Sequence, residues 1–473
     1  MARFKPYKRD QLMLLPSSLH DFIPERHLAR LVDKVVEKLE TTSIEDKYSE
    51  LGQNTYHPKI LIKLLFYGYA VGERSGRVIA RRCETDTAYM YLAQMYRPDF
   101  RTINDFRKNN TRELSEYFVH IVRMCKELGL VRIGQINIDS TKIKANAANR
   151  RTKTREDYQR WLKRVNDKIE KILEEADSVD AEEDEIYGDE RGDELPEDID
   201  TEEKLRRKLE EVTKKFKAGK EKINLTDPDA RFMKGGNGRI DIGYNCQAAV
   251  TDDQLIVSSE VLTDPNDRYA LERMVETTEQ NTEQEVKEVG ADRGYSGYEN
   301  YEYLSKTGKI GYIPDSNMNR VSRRELSKYD HDNFTYDRER DQYICPEGFR
   351  LSVYKVRRQN ASYRRWRQVI YKGESCLNCG KRNPCTTQRY RTIARDDRKE
   401  LLEEMRERLE TKEGHQKYIK RLYTVEPIFG HLKHNLGYRH FLMRGLEKVK
   451  AEFRLMCIGY NLIKMNQLLA ELG

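Results

Sequence analysis

A chain of 473 residues with a net charge of +7 and 35% charged residues is long enough for about two to four domains. It has no apolar run of about 18 residues, which excludes a membrane-spanning helix, and its first residues lack the apolar core and cleavage site of a secretory signal. Its eight Cys are unevenly spread, with a cluster at metal-like spacing, which fits a reducing compartment rather than a disulfide framework. Lys and Arg total 87 against 80 Asp and Glu, but the basic segments are set apart from one acidic run. That segregation points to a polyanionic partner.

Residues 1–130 read as helical. The stretches 25–40 and 56–73 carry apolar residues at three- and four-residue spacing. Pro98-Asp99 marks a turn, and Thr102 can cap the helix that follows. Arg74, Arg77, Arg81, Arg82, Arg101, Arg107 and Lys108 lie on short helices around that turn. They read as a helix-turn-helix that offers cations to DNA. Residues 131–150 begin a sheet. Ile136 and Ile138 alternate with Gln135 and Asn137, and the strand is expected to break at Asp139-Ser140-Thr141, leaving Asp139 at its end.

Residues 151–222 interrupt the sheet. Trp161, Leu162, Val165, Ile169, Ile172 and Leu173 form one apolar stripe, and Leu205, Leu209, Val212 and Phe216 another. The stripes predict an antiparallel helical hairpin, with the acidic run 174–203 as a mobile linker between its arms. The sheet resumes over 223–314. Strands are expected at 239–250, 253–262, 285–292 and 309–314, and helices at 266–281 and 297–308. The whole is a mixed sheet with flanking helices, in the α/β (α+β) class.

Residues 315–395 form a second insertion. Cys345 precedes a hairpin over 349–373, expected to turn at Gln359-Asn360-Ala361, and Cys376, Cys379 and Cys385 follow it. The open end of the hairpin brings Cys345 to the C-x2-C pair, and four thiolates suit a tetrahedral structural Zn2+. Arg364, Arg365 and Trp366, with Tyr363 and Arg367, interleave aromatics and cations, which suits phosphate neutralisation and base stacking. Residues 396–473 read as helical. Pro427 marks either the first turn of a helix opened by Glu426 or a kink within it.

Three carboxylates stand far apart in this order: Asp139, Asp292 and Glu426. Two or three carboxylates on rigid elements suffice to hold two hard divalent cations about 3.5–4 Å apart, the arrangement that serves phosphoryl transfer. No His or Cys is needed.

The stretches NIDSTKIKANA around Asp139, GADRGYSG around Asp292 and VEPIFGHLK around Glu426 resemble the motifs of bacterial insertion-sequence transposases of the DDE class. YRPDFRTINDFRK and the Cys cluster resemble features of one branch of them. The resemblance implies a ribonuclease H-like core in three parts (131–150, 223–314 and 396–473), an N-terminal helical DNA-binding domain (1–130), a helical hairpin insertion (151–222) and a zinc-hairpin insertion (315–395). It implies that Asp139, Asp292 and Glu426 bind two Mg2+ or Mn2+ ions. Related branches carry Tyr-x2-Arg-x3-Glu-x6-Lys on the Glu helix. Tyr418, Arg421, Glu426 and Lys433 match it, except that Arg421 to Glu426 is one residue longer. Arg421 and Lys433 are thereby implied to contact DNA phosphate. Arg293, beside Asp292, reads either as a phosphate contact or as the partner of an acid. The implied activity is binding of terminal inverted repeats, cleavage that exposes 3′-hydroxyls, and joining to target double-stranded DNA. A homodimer or higher assembly at the bacterial nucleoid, in the cytoplasm, follows from the same resemblance. The alternatives are a ribonuclease H-like nuclease or resolvase that cuts without joining, and a catalytically inactive DNA-binding protein.

Overall fold

The computed structural model describes residues 18–48, 55–187, 197–216, 222–235, 238–315, 327–361 and 364–472, and its architecture is mixed α/β. In chain order the first strands are β1 (Gln135–Lys144), β2 (Thr152–Lys153), β3 (Ile223–Asn224), β4 (Arg231–Lys234), β5 (Ile240–Val250), β6 (Ile256–Leu262), β7 (Glu288–Ala291) and β8 (Ile310–Tyr312). All but β2 and β3 belong to the main sheet, with β1 at its centre. β1 runs antiparallel to β5, from Asn137 opposite Val250 to Lys144 opposite Gly243. On its other edge it runs parallel to β7, from Gln135 opposite Glu288 to Ile138 opposite Ala291. β8 continues the parallel side. The far edge of β5 is shared end to end, by β4 along Ile240–Gly243 and by β6 along Asn245–Val250. The order β6-β5-β1-β7-β8, antiparallel then parallel, is the ribonuclease H-like arrangement.

β1 does not break at Asp139. β5 carries the antiparallel ladder on to Lys144, and Ile143 is buried, so packing overrides the turn preference of Asp-Ser-Thr. What stops near Asp139 is its parallel partner, because β7 ends at Ala291, opposite Ile138. Asp139 and Asp292 each follow a residue of that last parallel pair.

The N-terminal helices form at Leu28–Glu37, Pro58–Ala70, Gly76–Thr85, Thr87–Leu92, Phe100–Asn109 and Thr111–Glu127. Asp99, rather than Thr102, caps Phe100–Asn109: its Oδ1 accepts from the N–H groups of Arg101 and Thr102 at 2.5 and 3.1 Å. Pro58–Ala70 is buried along almost its whole length and packs against the C-terminal helix Leu446–Leu472. That contact needs Gly459, where a Cβ would lie 2.6 Å from the Tyr69 backbone. The N-terminal helices and the main sheet share one hydrophobic core.

Both insertions carry small cores of their own. β2 and β3 pair at the base of the hairpin made by helices Arg155–Tyr187 and Glu197–Lys214. Tyr158, Val165, Ile169, Leu209 and Val212 pack between its arms with Ile223 and Leu225. The acidic run is not all linker: helical backbone reaches Tyr187 and restarts at Glu197, since the segment is rich in Glu and Ala and meets no Gly before Gly188. Residues 188–196 lie outside the described residues. In the second insertion, β9 (Thr335–Asp337), β10 (Gln342–Ile344), β11 (Arg350–Ala361), β12 (Arg364–Gly373) and β13 (Thr392–Asp396) form one antiparallel sheet around Phe334, Tyr343, Leu351, Tyr371 and Ile393. β11 and β12 pair as far as Ala361 opposite Arg364. The turn therefore falls after the predicted Gln359-Asn360-Ala361, because those residues are held in the ladder, and residues 362–363 lie outside the described residues.

One buried ion pair ties the first half of the chain to the last helix. Glu452 is fully buried, and its carboxylate accepts from the N–H groups of Leu442 and Met443 at 3.0 and 2.8 Å and from Arg74 Nη1 at 3.2 Å. Arg74 also donates to the His440 carbonyl at 2.7 Å and lies 4.8 Å from the centre of the Tyr438 ring. Replacing Glu452 by Ala leaves a buried guanidinium and two N–H groups without their acceptor. Glu452→Ala is expected to lower the unfolding free energy by about 3–5 kcal/mol, measured by chemical denaturation of the full chain. A loss under about 1 kcal/mol would show that water or another acceptor replaces the carboxylate.

Candidate active site

The sheet register sets two carboxylates side by side, and a helix brings the third. Asp139 lies within β1, with its side chain 14% exposed. Its Oδ1 accepts from the Ser140 N–H at 2.7 Å, and its Oδ2 from Arg421 Nη1 at 2.8 Å. Asp292 caps the turn Arg293–Tyr295, accepting from the Gly294 N–H at 2.8 Å. Glu426 is the first residue of the short helix Glu426–Gly430, with its Oε1 2.9 Å from Arg421 Nη2. The three predicted carboxylates therefore converge, and the negative charges of Asp292 and Glu426 both bear on Asp139.

Arg421 is the centre of this arrangement, and the expectation that it faces DNA is corrected. Helix Lys412–Thr424 lies along β1, where Gln135 Nε2 donates to the Lys417 carbonyl at 2.9 Å and Arg421, one turn on, reaches Asp139. Arg421 is buried and its two terminal nitrogens are taken by Asp139 and Glu426. Five residues on a regular helix would turn Glu426 roughly 140° away from Arg421. The helix instead ends at Thr424 and restarts at Glu426, with Pro427, which has no N–H, in its first turn. Val425 between them keeps helical backbone angles, and Arg421 nevertheless reaches Glu426 across the extra residue that the spacing showed.

Burial pushes the Asp139 carboxyl up to about 7, aided by Asp292 and Glu426 and opposed by Arg421. Burial also raises Asp292, and Asp267 adds to it. Asp267 is a residue that the sequence reading missed. Its carboxylate takes Lys142 Nζ at 3.1 Å, Asn245 Nδ2 at 2.6 Å and Gln247 Nε2 at 2.8 Å. Gln247 also accepts from the buried Tyr295 hydroxyl. The available signal was Asn245 and Gln247, polar residues in a strand otherwise read as apolar, since fully buried amides need partners.

The remaining predicted residues divide. Arg77, Arg81, Arg101 and Lys108 are exposed, and Arg77 and Arg101 flank the Phe100 ring at 4.9 and 5.6 Å. Arg82 is half-buried and pairs with Asp86 at 3.3 Å and Glu73 at 3.6 Å. Arg107 is buried, donating to the Arg74 carbonyl, Asn104 and Tyr69, so it braces the helices. Arg293 is exposed. Lys433 is half-buried in the turn His431–Asn435, within reach of the charge on Lys142. The backbone of Arg364, Arg365 and Trp366 lies at the start of β12, and their side chains fall outside the described part.

Cys345, Cys376, Cys379 and Cys385 are unpaired and half-buried, and all line one cavity of about 30 Å³ at the open end of the β11–β12 hairpin. Burial and the other three thiols raise Cys385. The donor chemistry suits Zn2+ and the four residues meet at one point, but among the described residues no group of three or more His, Cys, Asp or Glu closes into a metal-holding geometry. At the carboxylates the same holds, and the guanidinium of Arg421 lies between two of them.

The ribonuclease H-like sheet thus carries two Asp just past the end of a parallel pairing and a Glu on a covering helix, a candidate site of the DDE class. The comparisons narrow it. A family model described as "Transposase DDE domain" matches residues 344–466, and one described as "Transposase domain (DUF772)" matches residues 17–109. The first match takes in Glu426 and Arg421, while Asp139 and Asp292 lie before it. The chain has no match among curated proteins or among solved structures. The two matches, over 123 and 93 of the 473 residues, indicate an insertion-sequence transposase of the DDE class. That family generally uses divalent metal ions.

Arg421 already neutralises two of the three carboxylates. Arg421→Ala is expected to lower the Tm of the metal-free protein and to enlarge the upward Tm shift that Mn2+ produces, because the two carboxylates no longer have an internal cation. Equal Mn2+ shifts in variant and wild type would show that Arg421 and the ion do not compete.

Proposed function

We propose that the protein binds the terminal repeats of its own element, cleaves the DNA strand at each end, and joins the freed 3′-hydroxyls to target DNA. The observation that carries this reading is that Asp139 and Glu426 share one guanidinium while the charge of Asp292 bears on Asp139, from chain positions more than a hundred residues apart. In this reading the three carboxylates hold two divalent ions, Mg2+ or Mn2+, which supply activation of the attacking oxygen and charge stabilisation of the leaving one. The chain's own residues do the rest. Asp139 is held by β1, so it cannot drift, and Asp292 is held by the Gly294 N–H. Arg421 keeps Asp139 and Glu426 within reach of each other. Arg77 and Arg101, exposed around Phe100, support DNA binding by the N-terminal helices. Holding two ends at once favours a dimer or higher assembly on DNA.

Alanine at Asp139, Asp292 or Glu426 is expected to abolish metal-dependent nicking and strand transfer of precut ends while end binding persists. Robust Mg2+-dependent cleavage by Asp139→Ala would sink the assignment, and cleavage by wild type without any joining would make the protein a nuclease of the same fold.

The second part of the reading is that Cys345, Cys376, Cys379 and Cys385 hold one structural Zn2+, supported by their shared cavity. Elemental analysis should find about one Zn per chain, and Cys379→Ser should lose it and open the hairpin sheet to proteolysis. Metal-free protein with a protected hairpin would remove zinc from the account.

A further inference from the structure

Asp267 lies in the loop between β6 and helix Leu271–Thr282 and carries a fourth carboxylate up to the candidate site. β5 brings Asn245 and Gln247, two residues apart, to one face of the sheet, and the register sets Lys142 of β1 opposite Asn245. Both amides are fully buried, so their polar atoms need partners inside the protein. Asn245 Nδ2, Gln247 Nε2 and Lys142 Nζ all donate to one oxygen, Asp267 Oδ1, at 2.6, 2.8 and 3.1 Å. Gln247 Nε2 also donates to Asn245 Oδ1 at 3.1 Å, which fixes the amide so that its Oε1 faces away and accepts from the Tyr295 hydroxyl. Tyr295 is fully buried and closes the turn that Asp292 caps, its N–H donating to the Asp292 carbonyl at 3.2 Å. A relay of hydrogen bonds thus runs from Asp267 through Gln247 and Tyr295 to Asp292. Two further contacts join the same segments. Asn300 Nδ2 donates to the Arg268 carbonyl at 2.7 Å and to the Tyr295 carbonyl at 2.6 Å. Gly294 leaves room for the two carboxylates, since a Cβ there would stand 3.1 Å from Asp267 Oδ2 and 2.9 Å from Asp292 Oδ1.

We propose that Asp267 is a positioning residue for Asp292: it fixes the Gln247 amide, which holds Tyr295 and with it the turn that aims the Asp292 carboxylate. The inference rests on the proposed function, in which Asp292 holds a divalent ion, and adds a residue to it. Asp292 needs this support more than its two companions. Asp139 sits inside β1, paired with Ala248 of β5, and Glu426 is tied to Arg421 at 2.9 Å. Asp292 lies past the end of β7, and among the described residues its side chain accepts only from the Gly294 N–H. A carboxylate on so short a turn keeps its direction only if the turn is anchored, and the anchor is the buried Tyr295 ring with its hydroxyl on Gln247. Hydrogen-bond partners that orient a metal-holding group from behind are worth roughly 10–100-fold in metal affinity. Asp267 acts here as an acceptor rather than as a charge, since Lys142 already matches its charge. Asn at this position keeps an acceptor for Asn245 and Gln247, whereas Ala removes it.

The test is Mn2+ binding to the full chain without DNA, read as loss of the free-ion signal in electron paramagnetic resonance, after thermal unfolding confirms that each variant is folded. Asp267→Ala is expected to weaken Mn2+ binding roughly 10–100-fold, and Tyr295→Phe, which removes only the hydroxyl, roughly 10-fold. The double variant should bind no more weakly than Asp267→Ala alone, because both changes break one relay. Asp267→Asn should restore most of the affinity. If Asp267→Ala does not fold, Tyr295→Phe and Asp267→Asn carry the comparison, since each is close in shape to the native residue. Wild-type affinity in Asp267→Ala or Tyr295→Phe, Asp267→Asn binding at least 10-fold more weakly than wild type, or losses that multiply in the double variant would overturn the positioning role. Asp139→Ala separates this failure from that of the proposed function. Mn2+ binding lost in Asp139→Ala but intact in Asp267→Ala and Tyr295→Phe overturns the relay alone. Wild type that takes up no Mn2+, or Asp139→Ala, Asp267→Ala and Tyr295→Phe that all bind it like wild type, overturns both readings.

Discussion

The structure depends on β1 being paired on both edges in opposite senses. Its antiparallel ladder with β5 is long and its parallel ladder with β7 is short. Because the parallel ladder ends at Ile138 and Ala291, the next residue on each side is an aspartate, Asp139 still paired with Ala248 of β5 but open on the β7 side, and Asp292 just past the end of β7. A slip of one residue in either ladder would turn Asp139 to the opposite face, away from helix Lys412–Thr424. The apolar neighbours prevent that slip, since Ile136, Ile138 and Ile143 are all buried in the common core. The hydrophobic register of one strand thus positions the chemistry.

Gathering carboxylates in a part-buried site is electrostatically costly, and the molecule meets the cost with a built-in cation. Arg421 divides its guanidinium between Asp139 and Glu426, a geometry that Lys could not reproduce. The pairing spans the join between helices Lys412–Thr424 and Glu426–Gly430, where Val425 keeps helical backbone angles and Pro427 follows. The internal cation and the divalent ions the family uses would serve one electrostatic need, and this links the stability of the empty site to its readiness for metal.

The outer parts follow a different logic. Each insertion packs a small core of its own, Tyr158 to Leu225 in one and Phe334 to Ile393 in the other. The first can therefore sit between β1 and β4, and the second between β8 and the C-terminal helices, without contributing to the large core. The N-terminal helices are the opposite case. They share the core with the sheet, and Arg74, Tyr69 and Gly459 lock them to the last helix and the loop before it.

Periodicity in the sequence was enough to place most of the main-sheet strands, the amphipathic helices and the hairpins of the two insertions, because local hydrophobic pattern depends on neighbouring residues; Asp139, Asp292 and Glu426 were singled out by the resemblance of three short motifs. It failed where long-range contact decides. Asp-Ser-Thr reads as a turn, yet the β5 ladder holds it in strand. Arg107 and Arg421 read as surface cations, yet one is spent on carbonyl, amide and hydroxyl groups of the packed helices and the other on two carboxylates. Asp267 carries no motif, and its importance exists only because Lys142, Asn245 and Gln247 are folded against it. A side chain's type fixes what it can bond, but which charges are desolvated together, and so which of them position the site, is set only when distant segments share one interior.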